Sequence, residues 1–193
     1  RTVKEETLKD LRTLYQGAVR QVDDSLDRLL STLSETGHAS DTAIIVTGDH
    51  GEEFMEHGHL AHYPKLYDEL IHVPLIVSLP TLDGGRVSHH VGLESLAPTI
   101  STLMGIEPDP TWTGSSLIPT LEGQETPPED PVVSVTVRGE EVTKQPIPRS
   151  LDDGDLLISA RTEEWTYIKN TATGDSELYH RPSDPDQQRD LSD

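Results

Sequence analysis

The sequence predicts an α/β fold that ends in a small antiparallel β subdomain. Three observations carry this. A helix-period apolar stripe fills residues 4–34. Two short apolar, β-branched runs follow, with a helical segment between them. Four strand-like runs separated by turn residues close the chain.

In the first region Leu8, Leu11, Leu14, Tyr15, Ala18, Val19, Val22, Leu26, Leu29, Leu30 and Leu33 recur at spacings of three and four. Gly37 is expected to end this helix, and Gly17 marks a weak point within it. Residues 42–47 (TAIIVT) and 72–79 (HVPLIVSL) show little alternation, the pattern of strands buried on both faces. A short helix is expected over residues 67–71. DGG at 83–85 predicts a turn, and RVSHHV at 86–91 a third strand. Residues 94–104 read as a helix, with Pro98 near its first turn and Gly105 after its end.

Residues 106–131, rich in Pro, Gly and Thr, read as loop and linker. VVSVTV, DLLISA, WTYIKN and SELYH then predict the antiparallel sheet, with TGD at 173–175 as the hairpin turn between the last two. The expected division is residues 1–125 as the α/β part and 126–193 as the β subdomain with its polar tail.

Composition bounds the function. Thirty-five acidic residues face fifteen basic ones, a formal net charge of −20. That field repels nucleic acid and anionic membranes. The acids are spread along the chain, and the periodic apolar segments argue against disorder. Scarce Lys beside abundant Asp, Glu and Thr predicts a protein kept soluble in high salt, from a halophile. There is no Cys, so no disulfide, thiolate metal site or cysteine nucleophile exists. No apolar run reaches membrane-spanning length. The chain starts at Arg1 rather than Met, which predicts a piece of a longer polypeptide. A soluble, cytoplasmic protein is expected, with an export signal upstream of Arg1 as the alternative.

The densest chemistry lies in GDHGEEFMEHGHLAH, residues 48–62, which holds four histidines and four carboxylates. It begins directly after the apolar run at 42–47. In open α/β sheets ligands bind beyond the carboxyl ends of strands, so Asp49 and His50 are expected at that edge. A carboxylate beside an imidazole suits a divalent cation. The alternative is that both merely turn and cap the chain. His57, His59 and His62 are candidates for the same pocket or for a plain surface loop. Glu52 and Glu53 are expected to fix the loop rather than bind metal. His72 is expected to be structural, and Asp23 and Asp24 to form a solvated helix face. Neither HExxH nor HxxEH occurs, so a zincin-type peptidase has no support.

TAIIVTGDHGEEFMEHG followed by LYDELIHVPLIVSLP resembles the sulfatase family of the alkaline phosphatase superfamily. GLESLAPTISTLMGIEPDPTWTGSSLIPTLEG resembles that family's helix and Gly-x-Ser-Leu turn. RTEEWTYIKNTATGDSELYHRPSDPDQQRDLSD resembles its terminal hairpin, and YQGAVRQVDDSLDRLL its long helix before the metal strand. The resemblance implies a partial alkaline-phosphatase-like sheet flanked by helices. It implies a metal-dependent ester hydrolase acting on a small-molecule sulfate or phosphate ester. Asp49 and His50 inherit the metal role. His62, five residues before Tyr67, inherits the contact to the transferred group, with Lys65 as the runner-up. His57 and His59 are implied pocket residues. Calcium is the ion the family suggests, with Mg, Mn or Zn as alternatives.

The family's nucleophile comes from (Cys/Ser)-x-Pro-x-Arg, and this sequence holds no such motif. The remaining metal aspartates are expected in a missing N-terminal half of the same polypeptide. Three readings follow: the C-terminal part of a sulfate ester hydrolase, inactive alone; the same part of a phosphodiester or phosphonate monoester hydrolase; or a non-catalytic metal-binding module.

Overall fold

A computed structural model describes residues 3–124, 130–137 and 156–193. The expected boundary at 125/126 lies outside the described residues. Helix α1 spans Glu5–Glu35 and passes Gly17 without a break. Gly37 follows at φ +79°, where a side chain would be strained. The turn lets Gly37 N–H donate to Ser34 O at 3.2 Å and His38 N–H to Leu33 O at 2.8 Å, satisfying carbonyls the helix end would orphan. No α1 residue is buried.

Strand β1 (Ile44–Thr47) pairs antiparallel with β4 (Leu75–Ser78), Ile44 opposite Ser78 and Thr47 opposite Leu75. Between them lie a two-residue hairpin, β2 (Glu53–Phe54) with β3 (Leu60–Ala61), and helix α2 (Asp68–Ile71). The doubly buried strands expected from the sequence are half-covered here. Leu75 and Val77 are half-buried, while Ile76 is 60% exposed. Among the described residues the pair consists of two strands. Residues 86–91 are not a strand; they run as irregular chain.

A 3-10 turn at Leu93–Ser95 leads into α3 (Leu96–Leu103), and Gly105 at φ +68° ends it. Buried Thr99 donates to Ser95 O at 2.6 Å and accepts from Leu117 N–H at 2.8 Å. It thereby fastens α4 (Ile118–Leu121), a short helix inside the segment expected to be all loop.

Strands β5 (Val132–Val137), β6 (Leu156–Arg161), β7 (Trp165–Asn170) and β8 (Ser176–His180) form the expected antiparallel sheet in sequential order. Gly174, at φ +81°, turns β7 into β8. The main apolar cluster is Leu66, Ile168 and Tyr179, with Tyr67, Ile71 and Leu157 against it. It takes residues from both expected parts of the chain, so α2 sits on the four-stranded sheet. Ile168→Ala should cost about 2–5 kcal/mol in a urea unfolding titration. Val133→Ala, at a position 52% exposed, should stay within about 0.5 kcal/mol.

Candidate functional site

The chain leaves β1 through Gly48 and places Asp49 and His50 at the strand's carboxyl end, at the edge of a cleft of about 1190 Å³. Two contacts shape the turn. Asp49 Oδ1 accepts from the His50 backbone N–H at 3.0 Å. Gly51 N–H donates to Leu70 O at 2.7 Å, and a Cβ on Gly51 would overlap the Glu69 carbonyl oxygen. Only glycine lets the loop lie this close to the α2 backbone.

His50 Nδ1 lies 2.8 Å from Gly51 O. A carbonyl only accepts, so Nδ1 carries the proton and Nε2 presents its lone pair outward. Asp49 Oδ2 lies 3.9 Å from that nitrogen. The His62 ring stands 4.4 Å from the His50 ring, and Glu52 Oε2 is 3.4 Å from His62 Nδ1. Donor atoms of His50, Glu52 and His62 all lie within 4.8 Å of one another. Two imidazoles and a carboxylate, with Asp49 beside them, form a donor set suited to a divalent cation. Glu52, expected only to fix the loop, is part of this group. Glu53 does fix the loop: it is fully buried and accepts from backbone amides of His57 and His59.

The other sequence candidates are placed as follows. Lys65 lines the cleft, but its Nζ donates to His57 O at 3.3 Å and lies 5.2 Å above the Tyr67 ring. His57 lies away from the cleft lining. It stacks on Tyr67 at 3.6 Å, its Nδ1 is 2.5 Å from Glu69 Oε1, and its Nε2 donates to Gln187 O at 2.9 Å. His59 lines a separate cavity of about 260 Å³ and stacks on Tyr63. Asp24 pairs with Arg20 on the exposed face of α1.

Sequence reasoning missed the cleft's inner wall. Arg161, 5% exposed, pairs with Asp68 at 2.8 Å, and Arg181 lies 3.6 Å from the same carboxylate. Burial pulls the Arg161 guanidinium down to about 10, against the opposing pull of Asp68. His72 and His90 line the same wall, their rings 5.8 Å apart, and His90 Nδ1 is 3.0 Å from Glu163. No motif links these residues; strand order alone brings them together. Tyr67 and Tyr179 share Glu177, and burial first, then that carboxylate, raises both phenols.

Burial, then the Arg161 charge, lowers both His72 and His90 below the usual imidazole value. The unfolded chain therefore binds protons that the folded chain refuses. The stabilising contribution is full above about pH 6.5, and it is lost as pH falls below that value. His90→Gln should flatten the rise of unfolding free energy with pH in this window, read from denaturation midpoints between pH 5 and 8.

Residues 1–106 match the sulfatase family. Arylsulfatase K of Xenopus laevis is 30% identical over 132 residues, covering 68% of this chain and 24% of that protein. The multifunctional alkaline phosphatase superfamily protein PehA of Trinickia caryophylli is 33% identical over 127 residues, covering 62% of this chain and 24% of that protein. The crystal structure of the phosphonate monoester hydrolase of Agrobacterium radiobacter superposes with a TM-score of 0.83 at 28% identity. It covers 98% of this chain and 38% of that one. The chain thus spans about a quarter of the curated relatives it matches. With the motif at 48–62, the fold and more than half of the sequence in agreement, this chain belongs to the sulfatase family of the alkaline phosphatase superfamily.

Proposed function

We propose that this chain is the metal-bearing C-terminal portion of a sulfate ester hydrolase. The observation that carries the proposal is the convergence of donor atoms of His50, Glu52 and His62 within 4.8 Å of one another, with Asp49 Oδ2 3.9 Å from His50 Nε2, where Asp49, His50 and His62 line a large cleft. In this reading Asp49 and His50 hold a divalent cation, calcium by family habit, with Glu52 at its side. Such an ion polarises ester oxygens and stabilises charge that develops on them.

His62 contacts the transferred group. Its side chain is 61% exposed at the cleft, with Glu52 Oε2 3.4 Å from its Nδ1 and the His50 ring 4.4 Å away. Its imidazole can donate to an anionic oxygen or protonate a leaving alkoxide. Lys65 is the weaker candidate because its ammonium is already engaged on His57 O.

Charge supports an anionic substrate. The cleft is lined by Lys65, Arg86, Arg161 and Arg181 against Asp49, Glu94 and Glu163, close to balance. The whole chain has thirty-five acids against fifteen bases. The acidic exterior fits a protein adapted to concentrated salt, which screens charges more than about 10 Å apart at 0.1 M. The nucleophile and further metal ligands belong to a preceding part of the polypeptide in this reading, and turnover needs that part.

A second reading changes the substrate to a phosphodiester or phosphonate monoester. The similarity to PehA and to the phosphonate monoester hydrolase favours it. Assaying the complete protein on an aryl sulfate and on a phosphonate monoester decides between the two.

Titration of this chain with Co²⁺ or Mn²⁺ tests the metal assignment directly. Asp49→Ala and His50→Ala should each weaken binding at least about tenfold. Unchanged affinity in both would remove the metal from this site. In the complete protein, His62→Ala should lower kcat/KM more than Lys65→Ala, and the reverse order would transfer the role to Lys65.

A further inference from the structure

Glu53 sits one residue from the metal-site candidate Glu52, yet it faces the opposite way and is fully buried. Its Oε1 accepts two backbone amides, His57 N–H at 3.0 Å and His59 N–H at 2.7 Å. Its Oε2 is buried with no partner. In register, Glu53 stands directly across from Ala61, the residue before His62. Ala61 is held at φ +68°, and Met55 at φ +73°, conformations that L side chains rarely adopt. The hairpin therefore keeps two unfavourable backbone positions, and one of them, Ala61, immediately precedes His62, whose ring lies 4.4 Å from that of His50.

A second tie acts from outside. Arg12 of α1 donates to Glu56 at 2.8 Å and to Phe54 O at 3.3 Å, and Tyr15 packs edge-on against Phe54. That ion pair is half-exposed, and such pairs hold little. The inner tie, two backbone amides on one carboxyl oxygen shielded from water, is the stronger constraint.

We propose that Glu53 is a positioning residue for His62: its carboxylate clamps the 57–59 turn from within, holding β3 in register and the His62 ring against His50. The geometry stands whether or not a metal binds there, while its use in ester hydrolysis rests on the function proposed above. An uncharged glutamine keeps the Oε1 acceptor; alanine removes it; aspartate keeps the charge but is one methylene too short.

The test is NMR on the full chain with labelled histidines. In the unsubstituted protein, cross-relaxation between the His50 and His62 ring protons should be seen, and the His57 and His59 amides should exchange with solvent at least a hundredfold slower than free amides. Glu53→Ala and Glu53→Asp should lose the ring contact while Ile168 and Tyr179 keep their signals, and Glu53→Gln should restore it. A ring contact that survives Glu53→Ala overturns the proposal. If the alanine variant does not fold, fast exchange of both amides in the unsubstituted protein overturns it alone, and slow exchange supports it. Co²⁺ titration of the same samples separates the two claims. A ring contact that depends on Glu53 without any Co²⁺ binding upholds the positioning role and removes the metal reading.

Discussion

The structure depends on one short segment, residues 66–71, and on the half-buried carboxylate of Asp68 at its centre. Asp68 of α2 faces Arg161 and Arg181 from the four-stranded sheet, and its own N–H donates to the buried Gln187 side chain at 2.7 Å. On one side Leu66 packs into the cluster with Ile168 and Tyr179. On the other, Glu69 holds His57 and Leu70 O receives Gly51 N–H. The histidine-rich loop is therefore anchored to the C-terminal sheet through α2. Breaking a buried ion pair by removing one partner costs about 3–5 kcal/mol, because the other charge is stranded. Truncation of Asp68 would take the carboxylate from buried Arg161, while Arg181 would keep its bonds to Thr162 O and Glu163 O.

Much of this was legible in the sequence, for identifiable reasons. The period of α1, the β-branched runs and the four C-terminal strands are local patterns, and local patterns survive into the fold. The place of Asp49 and His50 at the carboxyl end of β1 was legible because a strand ending in Gly-Asp-His-Gly puts its polar residues at a sheet edge, whereas the role of His62 entered only through the family resemblance. The failures share a cause. Residues 86–91 carry a strand-like pattern but find no partner, and pairing rather than propensity decides a strand. The α4 helix lies in a Pro- and Gly-rich stretch, and it depends on Thr99, eighteen residues earlier. His57 looked like a pocket residue from its neighbours in sequence. Its ring is instead taken up by Glu69, Tyr67 and Gln187, the last 130 residues away. Gln187 itself lies in the polar tail, yet it is 1% exposed.

The charge that lines the cleft differs from the charge of the chain as a whole. Charge at long range is screened by salt, whereas charge within a few ångströms in a half-buried wall is not. Arg161 and Arg181 are held in that wall by Asp68 rather than left to solvent. His72 and His90 stay neutral around neutral pH because burial and those guanidiniums oppose their protonation. The wall thus keeps its cations fixed, and its two histidines add charge only as pH falls below the usual imidazole value.

The β1–β4 pair alone does not give the site its order. A two-stranded unit is marginal on its own, and Ile76 remains 60% exposed. Helix α1 reaches the loop through Arg12 and Tyr15, and Leu14 and Val22 stay largely in solvent. What fixes the donor atoms is polar and local: the Gly51–Leu70 hydrogen bond, the His50 contact to Gly51 O and the two amides on Glu53. Each is short and directional, and each acts on the loop itself. A site built this way keeps its geometry when the apolar layers around it shift, because its hydrogen bonds set positions that packing against a two-stranded sheet could not.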